Sequence, residues 1–161
     1  MPGWSMSKSL LASWVARAQA LKVLDPQQQV DQLWPTVDRR LRLQHLLRMQ
    51  SGLDFSEEYQ PGDQVTDMLY RSADMAAMVA ERPQAEPPGT RWHYSSGDTV
   101  LAASIWADAV GDYRDAWLAR HWWNPLGISD VTVENDSVGT PVASSYVFMS
   151  ARSWLRALMN T

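Results

Sequence analysis

The sequence predicts a mainly α-helical domain with short β segments. Three observations carry this: apolar residues recur at three- and four-residue steps through most of the chain, clusters of Gly and Pro separate those stretches, and strand character is confined to two tripeptides. Residues 5–23 place Met6, Leu10, Trp14, Ala18 and Leu21 on one face, which predicts a first helix ended by Asp25-Pro26. A basic amphipathic stretch over 36–50, closed by Ser51-Gly52, predicts the second. Residues 53–63 form an acidic loop with Asp54, Glu57, Glu58 and Tyr59 and a Pro61-Gly62 turn. Val65, Met68, Leu69, Ala76 and Val79 share one face of a helix predicted over 64–82, and the proline-rich residues 83–90 force an extended connection toward Tyr94. Residues 96–110 predict a helix capped by Ser95 or Ser96 and ended by Gly111, and 112–123 another, stopped by Asn124-Pro125. Short strands are expected at 131–133 and 146–148, and a last helix at 150–159.

A length of 161 residues suits one core. Fourteen basic against eighteen acidic side chains give a net charge of −4, with no basic patch, which argues against a nucleic-acid surface. Without cysteine there is no disulfide framework, thiolate zinc site or Cys nucleophile, and the compartment is left open. No run of residues is long and apolar enough for a membrane span, and the first residues lack the pattern of a signal peptide, so any such segment is expected upstream. His45, His93 and His121 are far apart, so neither a metal nor another cofactor is expected. Of nine tryptophans, Trp14, Trp106, Trp117, Trp122 and Trp154 lie in helical patterns and are read as packing residues, and Glu57-Glu58 and Asp63/Asp67 are read as solvated acids.

One short motif carries chemistry. Ser5-Met6-Ser7-Lys8 is a Ser-x-x-Lys at a predicted helix start, and its spacing puts both side chains on one face. A serine nucleophile needs a base, which an uncharged lysine amine can supply, and a helix N-terminus disfavours the ammonium while offering N–H groups to a developing oxyanion. Lys8 and Lys22 are the lysines of the chain, so a lysine in this motif is less easily assigned to chance.

The rest of the chain supplies Met49-Gln50-Ser51-Gly52-Leu53, Glu57-Glu58-Tyr59, Pro88-Gly89-Thr90 leading into Tyr94-Ser95-Ser96-Gly97-Asp98-Thr99, Asn124-Pro125-Leu126-Gly127-Ile128, and Ser144-Ser145-Tyr146-Val147-Phe148 before Ala151-Arg152-Ser153-Trp154. In this order they resemble the serine β-lactamase and penicillin-binding-protein-like hydrolases, in particular the esterase and 6-aminohexanoate-dimer hydrolase branch of the class C β-lactamase group. The resemblance implies that Ser5 is acylated, that Lys8 activates it and that Tyr94 moves protons to the leaving group and from water. It also implies that Tyr59 closes over a small amide, ester or lactam substrate. Ser96 stands where the family often has Asn and contacts substrate, and Ser153 where it usually has Asp.

In that family a helical lobe lies against a sheet whose strands precede the nucleophile and follow the last helix. The resemblance therefore implies that residues 1–161 are the helical lobe of an α+β enzyme with most of the sheet missing, cut before Ser5 and after Thr161. No Lys-Thr-Gly or His-x-Gly third motif occurs in the chain. The lobe alone is expected to be inactive and to self-associate through apolar faces left by the absent sheet, above all on the first helix. The alternatives are a non-catalytic helical binding module derived from the family and a peptidase acting on D-Ala-D-Ala-type peptides.

Overall fold

A computed structural model describes residues 1–160; Thr161, the end of the predicted lobe, lies outside the described residues. The centre is the helix α5, Ser96–Val110, with Ser95 capping its start through a 2.9 Å bond from Asp98 N and Gly111 past its end at φ 77°. Its residues from Ser96 to Ala107 are all buried, as a helix covered on every side must be. Around it pack α1 (Ser7–Ala20), α2 (Leu43–Leu47), α3 (Gln64–Arg71), α4 (Met75–Ala80) and α6 (Arg114–Leu118). α7 (Ala151–Leu158) lies against α1.

Aromatic packing ties α1 to α5 and beyond. The Trp14 ring lies 5.4 Å from Trp106 and 5.8 Å from Trp123, and Trp106 lies 5.6 Å from Trp117. Such offset and edge-on geometries are the favourable ones for aromatic pairs. The large apolar residues of α1, Leu10, Leu11, Trp14 and Val15, all enter this core. Its outward positions carry Ser9, Ala12 and Ala16, so the first helix does not present the broad apolar face expected for it.

Three predicted helices are shorter or broken, each for a tertiary reason. Residues 36–42 are not helical. Val30 N bonds to Leu41 O (3.0 Å) and Leu43 N to Gln28 O (3.2 Å), Gln29 pairs with Arg42, and Asp38 accepts Arg40 N (2.8 Å) in a local turn. Residues 64–82 split at Ser72-Ala73-Asp74, where Asp74 caps α4 by accepting Ala77 N (2.9 Å). A distant loop occupies the break, with Met75 N bonded to Asp136 (3.0 Å) and Ser137 N to Ala73 O (3.1 Å). After α6 the chain widens into a π-helical turn, Ala119–Trp123, and ends in a 3-10 turn, Asn124–Leu126. The wide turn lets Trp122 and Trp123 both face inward.

The expected strands are present as β1 (Thr132–Val133) and β2 (Val147–Phe148), paired antiparallel with Thr132 opposite Phe148. The N-terminal residues run along the other side of β2. Gly3 N bonds to Val147 O (2.8 Å), Met149 N to Met1 O (3.2 Å) and the terminal amine to Met149 O (2.8 Å). Gly3 is required there, because a Cβ would stand 2.2 Å from the Trp154 ring. Ser153 lies in the first turn of α7. Its hydroxyl donates to Asp130, which also accepts Ser150 N (2.9 Å), so an acid from the β1 approach serves the helix start in place of one at 153. Those bonds, with Ser153 foremost, hold the Asp130 carboxyl down to about 2.

Candidate active site

The site begins where the N-terminal segment leaves β2. Trp4 adopts φ 44°, in the left-handed region, and a 3-10 turn, Trp4–Met6, presents Ser5 at the surface directly before α1. Lys8, the second residue of α1, turns back toward it. Its Nζ lies 3.3 Å from Ser5 Oγ, 3.0 Å from Ser96 Oγ and 3.1 Å from the Ser144 carbonyl oxygen. The same nitrogen stands over the Tyr94 ring, 4.9 Å from its centroid. Thus Ser5, Lys8, Ser96 and Tyr94 come together, from the N-terminal turn, α1, the start of α5 and the loop before it.

Ser96 is fully buried and fixed from a second side. Glu57 Oε2 accepts Ser96 N (2.8 Å), and Oε1 accepts the Ser96 hydroxyl and the Tyr59 hydroxyl, the latter at 3.1 Å. This corrects the reading of Glu57 as a solvated acid. It is half-buried and bonded to two of the expected site residues. Tyr59 itself sits at φ 58° in a turn pinned by Asp63, which accepts Glu58 N (2.8 Å) and Tyr59 N (3.0 Å). Burial pushes the Tyr59 phenol up, and the Glu57 carboxylate beside it adds to the rise. An open cleft of about 650 Å³ runs from Asp54 to Glu58 on one side and Arg91 to Tyr94 on the other.

The first turn of α5 also holds a buried carboxyl to which the sequence reading gave no role. Asp98, 1% exposed, accepts the Ser51 hydroxyl at 2.7 Å. Burial pushes its carboxyl up to about 7 despite that bond. Asp98 does not touch Lys8; it anchors the 51–53 turn to the first turn of α5. Two of the three histidines have local side-chain partners: His45 Nδ1 accepts Arg42 N (3.2 Å) at the start of α2, and His121 stacks 5.0 Å from Trp117; His93 lines the cleft. No described helix is long and apolar enough to cross a membrane.

The Beta-lactamase family profile matches residues 1–159. The chain belongs to the beta-lactamase family. No curated protein matches it by sequence. Among solved structures it is similar to a penicillin binding protein from Bacillus halodurans (14% identity, TM-score 0.79, covering 99% of this chain and 59% of that one). It is also similar to a D-stereospecific amidohydrolase from Streptomyces sp. (18%, TM-score 0.76, 98% and 59%). A third is a protein from Bacillus anthracis described as a 6-aminohexanoate-dimer hydrolase (17%, TM-score 0.77, 95% and 45%). At these identities the likeness is one of fold. The chain spans roughly half to three-fifths of the length of these beta-lactamase-like proteins, and its helices and short strands are those of the expected helical lobe.

Proposed function

We propose that this lobe carries the nucleophile of a serine hydrolase that forms an acyl-enzyme on Ser5 from an amide, ester or lactam. The observation that supports it is the position of Lys8 Nζ, 3.3 Å from Ser5 Oγ and 4.9 Å from the Tyr94 ring. In the forward step Ser5 Oγ bonds to the acyl carbon while its proton passes to Lys8. The oxyanion faces the Ser5 N–H, and collapse breaks the bond to the leaving group, which takes a proton by way of Tyr94. Water then adds to the acyl carbon while its proton passes through the Tyr94 hydroxyl to Lys8, and collapse breaks the bond to Ser5 Oγ, which takes that proton back from Lys8 as the acid leaves. Ser96 in place of Asn favours esters and small linear amides over lactams, and Tyr59 covers the cleft. Turnover is assigned to this lobe together with a further cleft wall, and labelling of Ser5 to the lobe itself.

A fluorophosphonate probe tests the reading. Wild-type chain is expected to be labelled and Ser5→Ala not; absence of labelling at Ser5, in this chain or in a longer one containing it, overturns the proposal. In that longer form, faster turnover of a p-nitrophenyl ester than of a chromogenic cephalosporin is the expected substrate order.

Self-association of the lobe is a second proposal, carried by exposed Trp4 (49%), Leu155 (61%) and Met159 (76%). Sedimentation velocity is expected to show oligomers, and a monodisperse monomer at micromolar concentration would sink this.

A further inference from the structure

We infer that Glu57 is a positioning residue that sets the direction of hydrogen bonding around Lys8, acting through the Ser96 hydroxyl; the inference rests on Ser5 and Lys8 being nucleophile and base.

A serine hydroxyl has one hydrogen and two lone pairs. Ser96 gives its hydrogen to Glu57 Oε1, so toward Lys8 Nζ, 3.0 Å away, it can act as acceptor alone. The Ser144 carbonyl, at 3.1 Å, has no hydrogen to give and is likewise an acceptor. An uncharged amine has two hydrogens and one lone pair. With both hydrogens committed to Ser96 and Ser144, the uncharged form that the proposed base role requires has its lone pair left for Ser5 Oγ, to which the ammonium form donates its third hydrogen. A carboxylate at 57 is what enforces this, because it accepts and cannot donate. Remove it, and the Ser96 hydrogen can turn to the Lys8 lone pair and occupy the base.

Two further bonds keep Glu57 in place. Its Oε2 takes Ser96 N at the first turn of α5, where a negative charge is favoured, and its Oε1 shares the Tyr59 hydroxyl. The loop that carries Tyr59 and the lysine proposed as base are therefore joined at one carboxylate.

The test is a double-mutant cycle on the full chain, read by two signals. The first is the rate of fluorophosphonate labelling of Ser5 across pH. Glu57→Gln, which keeps the size and the contact with Ser96 but can donate, is expected to slow labelling about tenfold or more and to change the pH profile. In a Ser96→Ala background, where no hydroxyl remains to turn, the same substitution is expected to have little effect. Equal slowing in both backgrounds, or none in either, overturns the inference. The second signal does not depend on reactivity. With lysine labelled at the 13Cε carbon the chain gives resonances from Lys8 and Lys22 alone. Glu57→Gln is expected to move that of Lys8 and leave Lys22 in place, and to move neither in the Ser96→Ala background; an unmoved Lys8 resonance in the single variant overturns the inference. If wild-type Ser5 is never labelled, the acyl-serine reading fails and this second signal still decides the hydrogen-bond assignment. Thermal melts of each variant separate misfolding from both results.

Discussion

Lys8→Met is expected to slow fluorophosphonate labelling of Ser5 about a thousandfold, within the range typical of a lost general base. Methionine fills the space of the lysine stem but has no lone pair of useful basicity, and it leaves Ser96 Oγ and the Ser144 carbonyl without their 3.0 and 3.1 Å partner. Part of the loss could thus come from local rearrangement, and Lys8→Arg separates the two. A guanidinium donates to the same acceptors but is never deprotonated in proteins, so it restores the contacts without the base. Arg labelled as slowly as Met assigns the effect to base chemistry. Arg labelled at the wild-type rate would show that a fixed positive charge beside Ser5 is enough, and the proton-transfer role of Lys8 would be lost.

The second large effect concerns stability. Asp98 is buried with its carboxyl pushed up to about 7 from an ordinary 3.8. Between those values the unfolded chain has lost the proton and the folded chain has kept it, so folding takes up a proton and stability falls as pH rises. A shift of about three units corresponds to about 4 kcal/mol over that window. Asp98→Asn keeps an oxygen for the Ser51 hydroxyl and has no proton to lose. Urea denaturation from pH 4.5 to 8 is expected to show the wild type losing stability relative to the variant by an amount of this order. Burial lowers His45 and His121, which by itself makes stability rise with pH up to the ordinary histidine value; these groups are common to both proteins and cancel in the difference. Parallel pH curves for the two proteins would refute the assignment.

How far the sequence reveals this site depends on how far apart its parts are in the chain. Ser5 and Lys8 lie one turn apart, and the spacing alone places them together. The cap of α5 is legible to within one residue, Ser95 or Ser96, because a cap acts on its own first turn; in the structure it is Ser95, whose hydroxyl accepts Asp98 N. Glu57 is different. Its role exists because Ser96, 39 residues later, arrives beside it, and an acid in a polar loop has nothing local to mark it out. Asp63, which holds the turn at Glu58 and Tyr59, marks the turn but not the acid beside it. The helices show the same division. The apolar periodicity of 64–82 is real, but the bonds from Asp136 and Ser137 that hold the break come from another part of the chain. Likewise the pairing of 28–30 with 41–43 overrides the helical pattern of 36–42.

The pairing of Met1 and Gly3 with Met149 and Val147, and the bond from Lys8 to the Ser144 carbonyl 136 residues away, tie the two ends of the described chain together. Contacts so remote in sequence form late in folding, after the intervening chain has condensed. Refolding from denaturant is therefore expected to regain its helices before the Ser5 turn and the contacts of Lys8 are in place.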